Sequence, residues 1–357
     1  MNQRLLLGST ALVGAGVLLT SPLFAQEVGG LEVSLGGYTE FLVEGATDET
    51  LTDGDSDRGY FFNHDTEIHI QAEGTTDGGV TYGSEIEIEA GALPMEADEM
   101  NLYFSGGFGR IELGRQDGVV DTMVLDATVI AAGTGGVDGD TDNLLTAGNI
   151  ADVGDATKIT YYTPRIAGFQ LGGSFTPDSD DGLNAGTGAL SGDDGDSLET
   201  VGQGGVNWEG EFGGLETGLF GIGTWANEEV TDDDVRAWAG GGLIGFGGLD
   251  FAASYGSSDF DNGDEIDFLL VGARFGFGPA RVGFHYERDW IDGDPFGLGP
   301  VLADQVDDNN TYVVSADVGL MPGVTLKSDV SYTDSDPGAI DPGDETWAGV
   351  VAIQLTY

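Results

Sequence analysis

The chain has 357 residues, and acidic and small residues dominate its composition. Asp and Glu number 63 against 11 Lys and Arg, which gives a formal net charge of −52, and cysteine is absent. This charge excludes nucleic acid as a partner, because phosphate recognition needs a basic surface. The lack of cysteine excludes disulfide and thiolate chemistry. Such acidity often indicates disorder, but 40% of the residues are hydrophobic and they alternate with polar ones.

The first segment, residues 1–25, has the composition of an export signal. Arg4 precedes the apolar run LLLGSTALVGAGVLL, and SPLFA ends on the small residue Ala25. A basic start, an apolar centre and a small final residue are typical of a secretory signal peptide. We therefore predict cleavage after Ala25 and one mature domain at residues 26–357. An uncleaved N-terminal membrane helix is the alternative.

Beyond Ala25 the hydrophobic pattern has a period of two, which is typical of strands with one apolar face. In VTYGSEIEIEA, Tyr82, Ile86 and Ile88 share one face and the glutamates take the other. The pattern predicts sixteen strands: 31–43, 60–73, 80–90, 99–105, 110–116, 157–163, 169–176, 199–209, 215–225, 234–243, 249–257, 264–275, 281–290, 310–320, 324–333 and 345–357. A break in the alternation between Leu219 and Phe220 predicts a bulge.

The connections between these strands alternate in kind. Short turns rich in glycine and aromatic residues, such as GFGG at 245–248, alternate with long acidic loops, such as 177–197. This asymmetry is typical of hairpins whose two ends face different compartments. We therefore predict an all-β fold, a 16-stranded antiparallel transmembrane β-barrel. The last strand, TWAGVVAIQLTY, is expected to pair with the first and close the barrel, because a bilayer tolerates no free edge.

Two segments together resemble Gram-negative general diffusion porins of the α-proteobacterial type. They are GGFGRIELGRQDG at 106–118 and KITYYTPRIAGFQLGGSFTPD at 158–178. With the leader and the aromatic C-terminus, the resemblance spans essentially the whole chain. It implies a homotrimer in the outer membrane, in contact with lipid and lipopolysaccharide, that passes small hydrophilic solutes. It also implies that residues 117–155 form a long inserted loop that constricts the pore, although this chain has fewer basic residues than the family pattern.

The charged residues that face the predicted lumen are the candidate pore residues. A narrow aqueous passage lined by one sign of charge concentrates counter-ions, and rings of Asp and Glu favour cations. We expect a cation preference. The strand candidates are Glu85, Glu87, Glu89, Lys158, Arg281 and Lys327, and the loop candidates are Asp117, Asp121, Asp126, Asp138, Asp140 and Asp142.

Metal ligands are suggested at one place only. DGDTDN at 138–143 resembles the start of a calcium loop, so Asp138, Asp140 and Asp142 are candidate Ca²⁺ ligands, although the glycine and the final glutamate of the full motif are missing. No cofactor is required by this interpretation. His64 and His69 are five residues apart, so they face opposite sides of a strand and are not expected to share a metal.

These observations favour a cation-preferring general diffusion porin in the outer membrane of a Gram-negative bacterium. An enzyme is not expected, since neither a G-x-S-x-G elbow nor a Walker loop is present. A substrate-specific porin for sugars or another solute class is the nearest rival, but the lumen faces carry few aromatic residues beyond Tyr38, Phe61 and Tyr162. Two more classes of protein stay open at this point: a secreted, calcium-stabilised β adhesin and an outer-membrane enzyme.

Overall fold

The structure is a computed structural model that describes residues 26–28, 30–46, 59–90, 96–140, 150–179, 198–228, 234–261, 263–292, 308–335 and 345–357. Sixteen long strands follow one strand of three residues. The strands are β1 (Gln26–Val28), β2 (Leu31–Ala46), β3 (Phe61–Thr75), β4 (Thr81–Glu89), β5 (Glu96–Gly106), β6 (Gly109–Arg115), β7 (Thr157–Tyr162), β8 (Phe169–Asp178), β9 (Leu198–Phe212), β10 (Leu215–Glu228), β11 (Asp234–Phe246), β12 (Leu249–Phe260), β13 (Glu265–Phe277), β14 (Ala280–Asp292), β15 (Asn309–Met321), β16 (Val324–Ser335) and β17 (Glu345–Thr356).

The strands from β2 to β17 form one closed antiparallel barrel. Each pairs with the next along the chain, and β17 pairs with β2 from Ala348 opposite Ala46 to Thr356 opposite Tyr38. The terminal residue Tyr357 extends this ladder, because its N–H donates to Gly37 O at 3.0 Å and its O accepts from Gly37 N at 3.1 Å. The predicted sixteen-stranded closure is confirmed. The short strand β1 only folds back on the start of β2.

The alternation of side chains places apolar residues on the outside of the barrel. On β2, Phe41 is 48% exposed, whereas its neighbours Glu40 and Leu42 are buried inside. On β7, Ile159 is 57% exposed between the buried Lys158 and Thr160. An apolar exterior around a polar interior suits lipid surroundings and does not fit an adhesin whose apolar face packs internally.

The two ends of the barrel differ as the sequence predicts. One end carries tight turns, such as those at 213–214 and 247–248, and the other carries the long connections. Gly213 and Gly214 have φ values of 64° and 86°. Two consecutive positive φ values define the type I′ hairpin turn, which favours glycine because it has no Cβ to clash. Phe212 and Phe246 are exposed beside these turns, where an aromatic girdle is expected.

Two local details differ from the sequence prediction. The bulge predicted between Leu219 and Phe220 is wrong, because β10 pairs with both neighbours without interruption there. Phe220 faces inward and is buried in the core cluster, which explains its apolar character. The described ladders are instead irregular at Ala226 of β10, at Leu320 of β15, and between β4 and β5, where Asp98 and Glu99 lie opposite the single residue Glu87.

The helical segments of the described chain are short. They are α1 (Val119–Thr122) and the two 3₁₀ turns Thr128–Ile130 and Gly136–Asp138. None of the helices in the described residues is long and apolar enough to cross a membrane.

Candidate functional site

The segment between β6 and β7 packs against the inner wall of the barrel. Its described part is 117–140 and 150–155, and it contains all three helical turns. Apolar side chains of the segment form one buried cluster with inward-facing residues of β10 to β13 and β15. Its members include Val120, Met123, Leu125, Ile130, Phe220, Phe268, Leu270 and Val313. Full burial of one such side chain stabilises a fold by about 1.5–3 kcal/mol. The segment is therefore attached by packing and not only by its ends.

Inward-facing glycines on the wall allow this segment to pack closely against the barrel. A Cβ added at Gly272 would lie 2.5 Å from Ala127 Cβ, and one added at Gly172 would overlap Met123 Sδ. Side chains at these positions would push the segment toward the barrel axis, because real Cβ atoms do not approach so closely. Glycine is thus required here for close approach rather than for a special backbone angle.

Two basic residues hold the ends of the segment together. Arg115 Nε donates to Asp155 O at 3.2 Å, and Lys158 Nζ donates to Gln116 O and Gly154 O. Lys158 is only 2% exposed. The strand parity directs Lys158 inward, as predicted, but its ammonium group binds carbonyl oxygens beneath the segment and does not face open solvent.

Hydrogen bonds to β14, β15 and β16 hold the tip of the segment. Gly133 N donates to Asp317 Oδ2 at 3.0 Å, and Thr134 N donates to Asp329 Oδ2 at 2.7 Å. Val137 N donates to His285 Nδ1 at 3.3 Å. Hydrogen bonds to a charged acceptor contribute about 1.5–3 kcal/mol each. Residues on β14, β15 and β16 therefore bind the backbone of a segment that begins after β6.

The carboxylates of the segment lie in different surroundings. Asp126 is buried; it accepts hydrogen bonds from Thr128 and from Ser254 Oγ at 3.0 Å, so it does not line open solvent. Burial, with Asp152 nearby, raises the pKa of Asp121 to about 10, so this carboxyl is protonated at neutral pH. Asp138 and Asp140 are exposed. The third candidate calcium ligand, Asp142, lies outside the described residues.

Burial also raises the pKa of two further carboxyls of the segment. The pKa of Asp155 is raised to about 7 by burial and by the charge of Asp117, and the pKa of Asp117 is raised by burial, against the effect of Lys158. Asp117 N donates to Glu99 Oε1 at 3.3 Å. Carboxylate oxygens of Glu99, Asp117 and Asp155 lie within 4.8 Å of one another. The two ends of the segment, at Asp117 and Asp155, thus form a concentrated acidic region together with Glu99.

The three glutamates predicted on β4 share the inward face but differ in their contacts. Glu85 Oε1 accepts a hydrogen bond from Gln71 Nε2 at 3.0 Å, and Glu85 Oε2 lies 3.5 Å from Arg110 Nη2. Glu87 lies against His69, with 3.5 Å between Glu87 Oε1 and His69 Nδ1. Glu89 is exposed at the end of the strand. They are therefore not three equivalent charges.

Every lysine and arginine of the described residues has an acidic or carbonyl partner. Arg281 Nε donates to both carboxylate oxygens of Asp317 at 2.9 and 3.0 Å, and Lys327 Nζ donates to Glu40 Oε2 at 3.1 Å. Arg115 and Lys158 bind carbonyl oxygens. The remaining ion pairs are Arg110–Glu112, Arg165–Glu209, Arg236–Asp234, Arg274–Asp250 and Arg288–Asp308. The excess charge of the described lumen is consequently negative.

One mixed cluster was not predicted from the sequence. His69 on β3 lies beside Glu67 and Glu87, and each of the three offers a donor atom within 4.8 Å of the others. The prediction that His64 and His69 face opposite sides is confirmed, because His64 is opposite the outward Phe41. The missed signal was the short β3–β4 turn, which fixes the register and sets His69 opposite Glu87.

Comparisons with known proteins agree with this architecture. The profile of the family described as Gram-negative porin matches residues 8–338. The fold is similar to an anion-selective porin from Comamonas acidovorans, at 17% identity and a TM-score of 0.63, with 92% of this chain and 100% of that chain covered. It is similar to a variant of the Rh. blastica porin, at 16% identity and a TM-score of 0.59, covering 91% and 100%.

A third structure is the trimer form of OmpT, an outer membrane protein of Vibrio cholerae. Its identity is 12% and its TM-score is 0.62, with 92% of this chain and 100% of that chain covered. No curated protein matches the chain by sequence alone. At these identities the three structures establish the shared barrel and leave the solute and the ion preference to be argued from the residues themselves.

Proposed function

Because the chain belongs to the family of Gram-negative porins, we propose that it is a general diffusion porin with a preference for cations. The family and the closed barrel indicate the outer membrane as its location. Transport is passive: solutes small enough to pass the segment 117–155 diffuse through the remaining lumen, and its charge biases which ions enter.

The pairing of the basic residues is the observation that carries the cation preference. Each described lysine and arginine is compensated by a carboxylate or by carbonyl oxygens, so none of these cationic side chains is left to attract anions. The chain as a whole carries 63 acidic residues against 11 basic ones. A lumen with one uncompensated sign raises the local concentration of the opposite ion. The similar fold of an anion-selective porin means that residues, not the barrel, decide this preference.

The reversal potential in a KCl gradient tests this proposal directly. The purified protein is inserted in a planar bilayer, and the potential at zero current is measured in dilute and in concentrated salt. We expect a potential of the sign that cation permeation gives, strong in dilute salt and weaker near 1 M, where the Debye length falls to about 3 Å. A potential of the opposite sign in dilute salt would refute the cation preference.

We further propose that the segment 117–155 constricts the pore. Its packing along the inner wall between β10 and β15 and the bond of its tip to Asp329 on β16, far around the barrel from β6, support this role. Deletion of residues 128–146 should raise the conductance. The sequence alone suggests little loss of stability, since the segment makes no ladder, but Val129, Ile130 and Val137 belong to the buried cluster. We therefore expect a lower heat-dissociation temperature for the deletion variant, and unchanged conductance would contradict the constriction.

The oligomeric state, the α-proteobacterial type and the removal of the signal peptide are further parts of the proposal. The trimer form of a structural relative supports a homotrimer, and an SDS-resistant oligomer that dissociates on heating is the expected result. The α-proteobacterial type rests on the sequence motifs at 106–118 and 158–178. Cleavage after Ala25 is checked by N-terminal sequencing of the protein from outer membranes.

A substrate-specific porin is the competing function, and the aromatic residues do not favour it. Tyr38 Oη donates to Asp65 Oδ2 at 2.6 Å, and Tyr162 is buried with its hydroxyl 2.6 Å from Thr122 Oγ1. A sugar track needs aromatic faces open to the solute, and these two side chains are engaged in other contacts. Liposome swelling with sugars and zwitterionic amino acids of equal size distinguishes the two functions, because a general porin sorts solutes without net charge by size.

Calcium at Asp138, Asp140 and Asp142 also remains a proposal. Calcium prefers six to eight oxygen ligands, which an acidic loop with water can supply. If it binds there, a chelator should lower the heat-dissociation temperature of the wild type but not of a variant in which all three are asparagine.

A further inference from the structure

Glu67, His69 and Glu87 bring two carboxylates and one imidazole together on the lumen face of β3 and β4. His69 Nε2 lies 3.2 Å from Glu67 Oε1, and His69 Nδ1 lies 3.5 Å from Glu87 Oε1. The side chains are 19%, 17% and 13% exposed in chain order, so they are enclosed but in contact with solvent. This cluster, called the Glu–His–Glu cluster below, shares no residue with the group Glu99, Asp117 and Asp155, although Glu87 and Glu99 lie across from each other on β4 and β5.

The register of the strands makes this arrangement a fixed feature. His69 lies directly opposite Glu87, and Glu67 precedes His69 by two residues on the same face. Opposed residues of antiparallel strands have Cβ atoms about 4.5–5.5 Å apart, so all three side chains converge without a loop rearrangement. The irregularity between β4 and β5 lies at Glu87, and such bulges commonly re-aim side chains at functional sites.

The imidazole of His69 is incompletely satisfied by the protein. Both ring nitrogens are inaccessible to solvent, and neither makes a hydrogen bond of good geometry with the described residues, although carboxylate oxygens lie 3.2 and 3.5 Å away. Buried polar groups without partners are costly, about 1–3 kcal/mol each. A ligand that accepts the lone pair of one nitrogen would remove this cost.

We propose that the Glu–His–Glu cluster binds a divalent transition metal ion of the Zn²⁺ class from the lumen. Imidazole and carboxylate together suit zinc, copper and nickel, whereas calcium and magnesium take oxygen ligands. As ligands, two carboxylates carry a charge that one divalent ion cancels. The donors lie within 4.8 Å of one another, and a tetrahedral zinc site with bonds of about 2.0–2.2 Å needs a contraction that side-chain rotation provides.

The exposed side of the cluster leaves coordination positions for water. Three protein ligands with an open position are typical of accessible zinc sites rather than of closed structural ones. The ion therefore exchanges with the lumen, and its occupancy neutralises part of the negative wall. We expect bound Zn²⁺ to reduce the cation preference of the open channel. This effect follows from binding, but the test of binding itself is the titration described next.

Isothermal titration calorimetry of the untagged, detergent-solubilised protein with ZnCl₂ tests the proposal. We expect one site per chain in the wild type and binding at least tenfold weaker in His69→Asn, because the loss of even an outer-shell partner costs about 10–100-fold. His64→Asn is the matched control, because His64 lies on the same strand but faces outward, and it should bind as the wild type does. Excess Ca²⁺ or Mg²⁺ should not displace the zinc.

Three outcomes would overturn the site. Equal zinc affinity in the wild type and His69→Asn would place the ion elsewhere, and displacement by equimolar Ca²⁺ would indicate ordinary attraction to carboxylates. A wild type that binds no zinc would refute the site outright. If His69→Asn does not form an SDS-resistant oligomer, Glu87→Gln decides in the same way. Because the titration does not measure ion flow, it is independent of the proposed cation preference.

Discussion

Asp329 on β16 binds the backbone N–H of Thr134 at 2.7 Å, although 195 residues separate them in the chain. The same carboxylate accepts a hydrogen bond from the Thr134 hydroxyl. Asp329 is 1% exposed, so this contact is shielded from water. Asp329 therefore anchors the segment 117–155, although its residue type alone would suggest a charge that lines the pore.

Replacing Asp329 by Ala should loosen the tip of the segment. Two hydrogen bonds to a charged acceptor are lost, each contributing about 1.5–3 kcal/mol, and the N–H of Thr134 loses its acceptor. We expect noisier and larger single-channel currents and faster proteolysis within the segment. Asp334→Ala removes an exposed carboxylate from the same strand and should leave both unchanged. Asp329→Asn, which retains an acceptor oxygen, should be intermediate.

Most of the barrel could be predicted from the sequence because two simple rules govern it. Alternating polarity fixes which residues face lipid, and glycine-rich turns mark where strands end. The strand from Thr81 to Glu89 follows both rules and was predicted within one residue at each end. The rules fail at Phe220, since an apolar inward residue is explained only by the segment that covers it.

The site was less predictable because the segment 117–155 has no period. The inward direction of Glu85 and Glu87 follows from strand parity, but their partners Arg110 and His69 depend on cross-strand register. The carbonyl contacts of Lys158 depend on the path of the segment, which no local pattern encodes. Residue type alone could not distinguish a carboxylate that lines the pore from one that anchors the segment.

Gly272→Ala should displace the segment although it adds a single methyl group. The new Cβ would lie 2.5 Å from Ala127 Cβ, so the segment must move away from the wall. Overpacking of this kind costs about 1–3 kcal/mol. We expect altered conductance and a lower heat-dissociation temperature. Gly276→Ala is the control on the same strand, since its nearest atom would be 3.9 Å away; an equal effect of both variants would contradict this account.

The cation preference should weaken as the pH falls from 8 to 5. The pKa of Asp155 is raised to about 7 by burial and the charge of Asp117, and the pKa of Asp140 is raised to about 6 by partial desolvation and the charge of Glu40. Protonation removes one negative charge at each position. The reversal potential at dilute salt should move toward zero over this range. Asp155→Asn should remove the upper part of the titration, and a wild-type potential independent of pH would contradict the role of these carboxyls.

The same shifts predict that acid stabilises the packing of the segment. A carboxyl whose pKa is higher in the folded state binds more protons there than when unfolded, so stability falls as the pH rises between the two values. For Asp155 this window runs from about 4, the ordinary value, to about 7. Proteolysis within the segment should therefore be slower at pH 5 than at pH 8, after correction for the activity of the protease, and Asp155→Asn should reduce the difference.

Variants of three glutamates on β4 test which lumen charges determine the ion selectivity. They are Glu85, Glu87 and Glu89. Side chains on one face of a strand are about 7 Å apart, within the Debye length of about 10 Å at 0.1 M salt. Replacing all three by Gln keeps shape and hydrogen bonding but removes the charge. We expect the reversal potential in a dilute KCl gradient to move toward zero, with conductance in concentrated salt nearly unchanged.

The single variants should differ, because the three glutamates have different neighbours. Glu85→Gln removes one carboxylate contact of Arg110 and leaves that cation to Glu112, so part of the effect comes from the freed positive charge. Glu89→Gln removes an exposed charge directly. The matched control replaces by amides three acidic residues that oppose one another on the outward face of β12, β13 and β14: Asp259, Glu265 and Asp292. That control should leave the potential nearly unchanged. If it shifts the potential as much as the lumen variant does, total charge rather than the lumen face of β4 sets the preference.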